Sequence, residues 1–117
     1  MTRACVLIVD DDSIVRRAIL RALAPLDVEL VAAGSCAEAR AHAGTIDLAI
    51  VDYDLGDGYG DDLAHDLLVS PRLRAVVFFT ASSEQRVTDR LATLGRVVSK
   101  IDDGVEMLRS FVAEHAR

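Results

Sequence analysis

Apolar residues along the chain gather into five short runs, and each run is followed by a segment with helical spacing. The runs cover residues 4–9, 28–32, 48–51, 75–79 and 97–98. Their length is that of strands, and the unbroken apolar character of the first run is typical of a strand that is buried on both faces. In the segments between the runs, apolar residues recur every three or four positions, which predicts one buried face of a helix. The pattern therefore predicts five strands that alternate with five helices.

Polar and helix-breaking residues predict where the helices begin and end. Ser13 is the expected N-cap of the first helix, and Pro25 ends that helix. Ser35 and Glu38 have the spacing of a capping box at the start of the second helix, which we expect to end at Gly44. The remaining helices are expected before Pro71, over residues 83–94 and over residues 104–115.

The alternation of strands and helices limits the fold class. Right-handed crossovers place the helices on both faces of a parallel sheet. We therefore expect an α/β fold, with a doubly wound (βα)5 arrangement around a five-stranded parallel sheet. The chain has 117 residues, which is near the usual size of one domain. Residues 1–117 are thus expected to form a single domain.

The composition is that of a folded protein with an acidic surface. Hydrophobic residues make up 51% of the chain, which supplies enough apolar surface to offset the entropy lost on folding. The formal net charge is −6 and the arginines are scattered, so we expect no direct binding of nucleic acid. No apolar run approaches the roughly 20 residues of a membrane-spanning helix, and the first residues lack a signal-peptide pattern. A cytoplasmic protein without a membrane partner is expected.

Aspartates follow the first and third predicted strands. Asp10 and Asp11 come directly after the first strand, and Asp52, with Asp54 behind it, comes directly after the third. In open parallel sheets the ligand site lies beyond the carboxyl ends of the strands, so these carboxylates are expected to lie close together. Such a cluster repels itself unless a cation neutralises it, and oxygen ligands at this density suit Mg2+. Other loop aspartates are expected to be helix caps or turn formers, namely Asp12, Asp57 and Asp61.

Thr80 and Lys100 end the fourth and fifth predicted strands and bring a hydroxyl and an ammonium to the same edge of the sheet. Lys100 is the only lysine of a chain that otherwise uses arginine for positive charge. A carboxylate beside Mg2+ can act as the nucleophile in phosphoryl transfer. The reaction then needs mainly positioning and neutralisation of charge on the phosphoryl oxygens, to which an ammonium and a hydroxyl can contribute. The strand ends together predict a phosphoryl-transfer site.

Segments around these residues resemble the receiver domain of response regulators in two-component signalling. The segment VLIVDDDS, followed by Arg16 and Arg17, resembles the first strand and acidic pair of that family. The segment DYDLGDGYG resembles its phosphoacceptor strand end and loop, with Asp52 at the acceptor position. The segments FFTA and SK resemble the ends of its fourth and fifth strands, with Thr80 and Lys100 at the matching positions. The similarity covers the whole chain.

The resemblance implies a fold, a metal site and partners. The fold is flavodoxin-like, with strand order 2-1-3-4-5. Mg2+ is expected to be ligated by Asp11, Asp52 and the backbone carbonyl of Asp54, while Asp10 acts through water. Asp52 is expected to receive a phosphoryl group from a sensor histidine kinase or a histidine phosphotransfer protein, and to signal to a downstream effector protein or domain. The chain is then no enzyme in the usual sense, since it catalyses only its own phosphorylation and dephosphorylation.

Two positions near the fifth strand depart from the family's pattern. Val97 stands where an aromatic residue that rotates on signalling is usual, and Ile101 stands where proline usually follows the lysine. A cis peptide before a residue other than proline costs about 2.5 to 4 kcal/mol, so we predict a trans bond between Lys100 and Ile101. Without a large ring at position 97, we expect the signal to leave through the fourth helix or through a fifth-helix surface with Met107 and Phe111.

Two other functions are compatible with part of the pattern. Asp52 and Asp54 have the nucleophile and acid spacing of a haloacid dehalogenase-type phosphatase. In that class, however, the paired acids lie on the first strand of the core. If this chain belonged to it, Asp10 and Asp11 would have no role. A degenerate receiver that serves only as an interaction module is the second alternative, and the presence of every expected acceptor group argues against it.

Overall fold

A five-stranded parallel sheet forms the centre of the computed structural model, which describes residues 3–70, 72–101 and 103–115. The strands are β1 (Ala4–Val9), β2 (Val28–Ala33), β3 (Ile46–Val51), β4 (Leu73–Thr80) and β5 (Arg96–Ser99). They pair in parallel in the order β2-β1-β3-β4-β5. The predicted α/β class and the predicted strand order 2-1-3-4-5 are both confirmed.

Helices follow the strands and cover both faces of the sheet. They are α1 (Ser13–Leu23), α2 (Cys36–Ala41), α3 (Gly60–Val69), α4 (Gln85–Ala92) and α5 (Gly104–His115). Side chains alternate between the two faces of a strand, so β1 contributes to two cores. Leu7 and Val9 pack with α2, α3 and α4, whereas Val6 and Ile8 pack with α1 and α5. The apolar run of β1 is unbroken because both of its faces are buried.

The first helix begins with a different cap from the predicted one. Asp12, and not Ser13, is the N-cap of α1, because its backbone is extended and its carboxylate accepts the N–H of Ile14 at 2.9 Å. Ser13 is already the first helical residue. At the other end α1 stops at Leu23, shortly before Pro25, as predicted.

The second helix is shorter than the sequence predicts. Ser35 is its N-cap, as expected, but the helix ends at Ala41 instead of continuing to Gly44. His42 already has an extended backbone, and its carbonyl accepts a hydrogen bond from the guanidinium of Arg72. A contact with a residue 30 positions away therefore accompanies the end of this helix.

The later helices agree with the predicted order and differ in their bounds. α3 ends at Val69, and Pro71, which was expected to follow it, lies outside the described residues. α4 is shorter than the predicted range of 83–94, since residues 83 and 84 lie outside the helix and Thr93 is its C-cap. α5 has the predicted range. Within the described ranges, no helix has both the length and the apolar character that crossing a membrane requires.

Candidate metal and phosphoryl-acceptor site

Asp10, Asp52 and Lys100 form a charge cluster at the carboxyl edge of the sheet. Asp10 follows β1 and Asp52 follows β3, and these strands are neighbours with Val9 opposite Val51. Lys100 follows β5, and its Nζ lies 2.8 Å from Oδ2 of Asp10 and 3.0 Å from Oδ2 of Asp52. The side chains of the two aspartates are 2% and 13% exposed, and that of the lysine is 18% exposed. Lys100 thus contacts both aspartates, and all three residues are ones that the sequence singles out.

Backbone hydrogen bonds fix the orientation of both carboxylates. Oδ1 of Asp10 accepts the N–H of Asp12 at 2.9 Å, and Oδ1 of Asp52 accepts the N–H of Tyr53 at 2.8 Å. Each carboxylate therefore has one oxygen held by the main chain and the other directed at Lys100. The arrangement is preorganised, because a main-chain N–H group holds one oxygen of each carboxylate.

A third carboxylate makes the cluster suitable for a metal ion. Asp10, Asp11 and Asp52 offer oxygens that all lie within 4.8 Å of one another. Three carboxylates against the single ammonium of Lys100 leave an excess of negative charge, which a cation stabilises. Asp10 is buried, Asp52 is half-buried and Asp11 is exposed, so the site combines fixed oxygens with access for water. A set of oxygen donors with water access fits Mg2+, which usually keeps several waters.

Asp54, the fourth residue predicted to ligate the metal, lies in the loop between β3 and α3. Its exposed carboxylate accepts the N–H of Gly56 at 3.1 Å and, in the part of the chain that the structure describes, is not among the three clustered carboxylates. The loop folds back on itself, since the N–H of Leu55 donates to the carbonyl of Gly58 at 3.0 Å. Gly56 has a φ of 83°, which favours glycine. The side chain of Asp54 thus serves this turn, while its backbone carbonyl is the group that the resemblance assigns to Mg2+.

Thr80 ends β4 at the wall of a cleft above the charge cluster. It is buried, and its Oγ1 accepts the N–H of Ser82 at 3.1 Å. The N–H of Lys100 donates to the carbonyl of Thr80 at 3.0 Å, which holds the two strand ends together. The cleft has a volume of about 580 Å³ and is lined by Asp52, Tyr53, Asp54, Tyr59, Thr80, Ala81, Ser82, Glu84, Arg86, Val87, Arg90 and Lys100. A carboxylate, a hydroxyl and an ammonium therefore line one open space.

Burial and hydrogen bonds shift the pKa values of Asp52 and Lys100. Burial raises the pKa of Asp52, although hydrogen bonding and the charge of Lys100 act in the opposite direction. Burial alone lowers the pKa of Lys100, but its hydrogen bonds to Asp10 and Asp52 outweigh burial, so that the pKa of Lys100 is raised. Lys100 is therefore a cation at neutral pH. The raised pKa of Asp52 indicates that this pocket stabilises its charge less than water does, which favours an added cation.

The three loop aspartates that we expected to be caps or turn formers fall into two groups. Asp12 caps α1, and Asp57 accepts hydrogen bonds from the first N–H groups of α2, as expected for caps. The prediction for Asp61 is wrong. This residue lies in the first turn of α3 with a side chain that is 10% exposed, and its Oδ2 lies 3.6 Å from Nη1 of Arg90 in α4. Its carboxylate links two helices because the facing helix presents a guanidinium.

Two residues that support the site were not predicted from the sequence. Arg16 in α1 donates from Nη1 to the carbonyl of Asp10 at 2.7 Å, and so ties the helix to the end of β1. Gly60 lets α3 begin directly against β3, because a Cβ at this position would collide with the carbonyl oxygen of Asp52. Two features of the sequence could have indicated these residues: an arginine shortly after the acidic pair, and a glycine at the start of a predicted helix.

Val97 and Ile101, the two residues that depart from the family pattern, have aliphatic side chains, and the structure shows where each one lies. No cis peptide bond occurs among the described residues, so the predicted trans bond between Lys100 and Ile101 is confirmed. Ile101 is 66% exposed. Val97 is half-buried and packs against the core on the side of α2, α3 and α4. Its short side chain has no ring that could rotate between buried and exposed positions.

The fold and the site together define a flavodoxin-like α/β domain with a carboxylate, hydroxyl and ammonium site at the carboxyl edge of its sheet. Residues 6–101 match the family described as response regulator receiver domain. The chain therefore belongs to this family and is a receiver domain of two-component signalling, not a classical enzyme. Membership decides against the phosphatase alternative, whose acids belong on the first core strand, whereas Asp52 and Asp54 follow β3.

Known proteins of this kind resemble the chain in sequence and in structure. The DNA-binding transcriptional activator DevR/DosR of Mycobacterium tuberculosis (strain ATCC 25618 / H37Rv) is 37% identical over 111 residues, which are 90% of this chain. The chain spans about half of that relative's length, 51%. The BeF3-activated DrrB receiver domain superposes with a TM-score of 0.84 at 18% identity, covering 98% of this chain and 97% of that one. Chemotaxis response regulator CheY4 of Vibrio cholerae gives a TM-score of 0.81 at 19% identity, covering 97% and 99%. The two structural matches establish the fold.

Proposed function

We propose that residues 1–117 act as a single receiver domain that accepts a phosphoryl group on Asp52 in a Mg2+-dependent reaction. The observation that carries this proposal is the position of the Lys100 ammonium, within 3.0 Å of Asp52 and 2.8 Å of Asp10. Asp11 brings a third carboxylate to the same place. A nucleophile, acidic metal ligands and a cation for phosphoryl oxygens are thereby combined in one cleft.

The metal site uses residues of two loops. Asp11, Asp52 and the backbone carbonyl of Asp54 are the proposed direct ligands, and Asp10 is proposed to act through a water molecule. When bound, Mg2+ would neutralise negative charge on the oxygens of the phosphoryl group. The chain's own contribution is to hold these oxygens at fixed strand ends, with the excess negative charge that makes an ion favourable.

The transfer step is a displacement at phosphorus. A carboxylate oxygen of Asp52 attacks the phosphorus and forms an O–P bond, while the bond between phosphorus and the donor's imidazole nitrogen breaks. The imidazole keeps the electron pair of that bond and takes up a proton from solvent. Lys100, which contacts Asp52 at the outset, pairs with one phosphoryl oxygen, and the hydroxyl of Thr80 donates to another. In the second half of the cycle, water attacks the phosphorus, the bond between phosphorus and the Asp52 oxygen breaks, and inorganic phosphate leaves. The carboxylate is thereby restored, so the chain acts only on itself.

The partners of the domain follow from its family. We propose that the donor is a phosphohistidine on a sensor histidine kinase or a histidine phosphotransfer protein. The output goes to an effector protein or domain. DevR/DosR is a DNA-binding activator, and this chain corresponds to about half of such a protein. The net charge of −6 argues against direct contact of this chain with nucleic acid. We propose a cytoplasmic location, since phosphorylation of the donor histidine draws on ATP.

A comparison of the chain with its Asp52→Asn variant tests this proposal. Both proteins are incubated with acetyl phosphate and Mg2+, and their intact masses are measured. We expect the parent to gain one phosphoryl group and the variant to gain none. Labelling of the variant to the same extent would contradict the assignment of Asp52. An unlabelled parent would favour the degenerate receiver, which acts only as an interaction module.

A further inference from the structure

The N-terminus of α2 is capped by the loop between β3 and α3. Asp57 accepts the N–H of Cys36 with Oδ1 at 2.9 Å and the N–H of Ala37 with Oδ2 at 3.0 Å. Ser35, the local N-cap, accepts the N–H of Glu38 at 3.1 Å. The first three N–H groups of the helix, which have no partner within a helix, are thus satisfied. Two of the three bonds depend on a residue that lies 20 positions beyond Ala37.

The same loop is fixed at a second point. Leu55 is 2% exposed and belongs to the core under α2, α3 and α4. Gly58 lies directly against α2, because a Cβ at this position would be 3.1 Å from Sγ of Cys36. Asp54 thus lies in a short segment that is held by β3 on one side, and by Leu55 and Asp57 on the other. Without the tie at Asp57, the buried side chain of Leu55 would be the remaining contact that holds this segment on that side.

We propose that Asp57 is a positioning residue for the Mg2+ site, because it ties the loop to α2 and so helps to fix the segment that carries the backbone carbonyl of Asp54. This inference rests on the proposed function, in which that carbonyl is a ligand. Mg2+ requires nearly ideal geometry, so a displaced ligand weakens binding. The hydrogen bonds from Cys36 and Ala37 lower the pKa of Asp57, which keeps the tie in its charged form at neutral pH.

The loop contains a natural reporter of its own position. Tyr53 and Tyr59 are the two tyrosines of the chain, which has no tryptophan. Their rings stack with centroids 4.9 Å apart and an interplanar angle of 29°. Both line the cleft that contains Asp52. Tyrosine fluorescence of the whole chain therefore reports on this loop alone, and it can follow a Mg2+ titration without any phosphoryl donor.

The test is a Mg2+ titration of Asp57→Ala, followed by tyrosine fluorescence and by calorimetry. We expect the dissociation constant for Mg2+ to rise about tenfold, as for other groups that orient metal ligands from outside. Ser35→Ala is the matched control, since it removes the other cap of the same helix without a contact to the loop. We expect that variant to lose stability and to keep the parent's Mg2+ affinity. Asp57→Asn retains one acceptor oxygen, so its dissociation constant for Mg2+ is expected to lie between those of Asp57→Ala and the parent.

The outcomes separate this inference from the proposed function. Parent-like Mg2+ affinity in Asp57→Ala would overturn the inference and leave the proposed function intact. The inference would also be overturned if Ser35→Ala weakened Mg2+ binding as much as Asp57→Ala, because the stability of α2 would then be the cause. If Asp57→Ala binds Mg2+ more weakly than the parent at low salt but equally well in concentrated KCl, the effect is one of charge alone. That result would also overturn the inference. A parent that binds no Mg2+ would overturn both.

Discussion

The two sides of the cleft above Asp52 are built differently. On the anchored side, defined by Asp10, Asp52 and Lys100, three side chains that follow strands contact one another at 2.8 and 3.0 Å. On the α4 side, defined by residues 80–92, the helix has one fully buried residue, Leu91. Elements with few buried contacts open most easily. The strand ends thus hold the anchored side in place, and we predict that α4 is the element displaced when the site is phosphorylated.

The ion pairs of the two sides show the same difference. Lys100 is buried to a large extent between two carboxylates, whereas the guanidinium of Arg90 lies 3.6 Å from Asp61 with 58% of its side chain exposed. Loss of one partner from a buried pair leaves an uncompensated charge, and the cost is large. Half-exposed pairs are screened by water and contribute about 0 to 1 kcal/mol. Changes on the anchored side should therefore have the larger consequences.

The largest effect is expected from Lys100→Ala. Removal of this ammonium should slow phosphorylation of Asp52 by acetyl phosphate about a hundredfold, the loss typical for one group that stabilises a charged transition state. The rate is measured by intact mass over time in saturating Mg2+. Arg90→Ala, which removes another cation from the same cleft, is the control and should change the rate little.

Thermal unfolding of Lys100→Ala in Mg2+ distinguishes a chemical from a structural role. We expect the variant to fold, with the ion replacing the lost positive charge between the carboxylates. A large drop in its thermal midpoint together with an unchanged phosphorylation rate would make Lys100 a structural residue. The anchored side would then not be the chemical side of the cleft.

A smaller effect is expected when the metal site loses one charge. Asp11→Ala should raise the Mg2+ dissociation constant about tenfold, equivalent to about 1.4 kcal/mol, because it removes one of few charged ligands. Tyrosine fluorescence during a Mg2+ titration measures the change. Asp12→Ala removes the next carboxylate, which caps α1 instead, and should cost about 1 kcal/mol of stability while Mg2+ affinity stays near that of the parent. Equal Mg2+ affinities in the parent and Asp11→Ala would remove this residue from the site.

The smallest effect concerns the link between α3 and α4. A double-mutant cycle with Asp61→Asn and Arg90→Gln should give a coupling energy below about 1 kcal/mol, since one partner is mostly exposed. Urea unfolding of the four proteins supplies the free energies. A coupling of several kcal/mol would mean that α4 is held as firmly as the strand ends, and the contrast between the two sides would not stand.

Much of the anchored side could be predicted because strand ends are local features of a sequence. An apolar run that stops at Asp10 or Asp52 shows both the strand and the residue at its carboxyl edge. The parallel arrangement then brings such residues together, and Lys100 was conspicuous as the only lysine. The structure brings these three residues together as predicted. Their chemical roles remain predictions.

The features that could not be predicted depend on residues far apart in the chain. Asp57 was expected to be a cap or a turn former, but which helix it caps appears only in the structure, where it binds the N–H of Cys36, 21 positions earlier in the chain. Asp61 is in a sequence position that suits an exposed first helical turn, but its side chain is 10% exposed and lies 3.6 Å from the guanidinium of Arg90 in α4. The early end of α2 is accompanied by the contact between Arg72 and His42. In each case a tertiary contact adds to or replaces the structural role that the neighbouring sequence favours.

The most direct test of the account is to identify the residue that carries the phosphoryl group. After incubation with acetyl phosphate and Mg2+, borohydride reduction converts an aspartyl phosphate to homoserine, and peptide mass mapping locates the converted residue. We expect homoserine at position 52, with Asp10, Asp11 and Asp54 unchanged, and no conversion when Mg2+ is removed by chelation. Homoserine at any of those three neighbours, or conversion of Asp52 that does not depend on Mg2+, would contradict it.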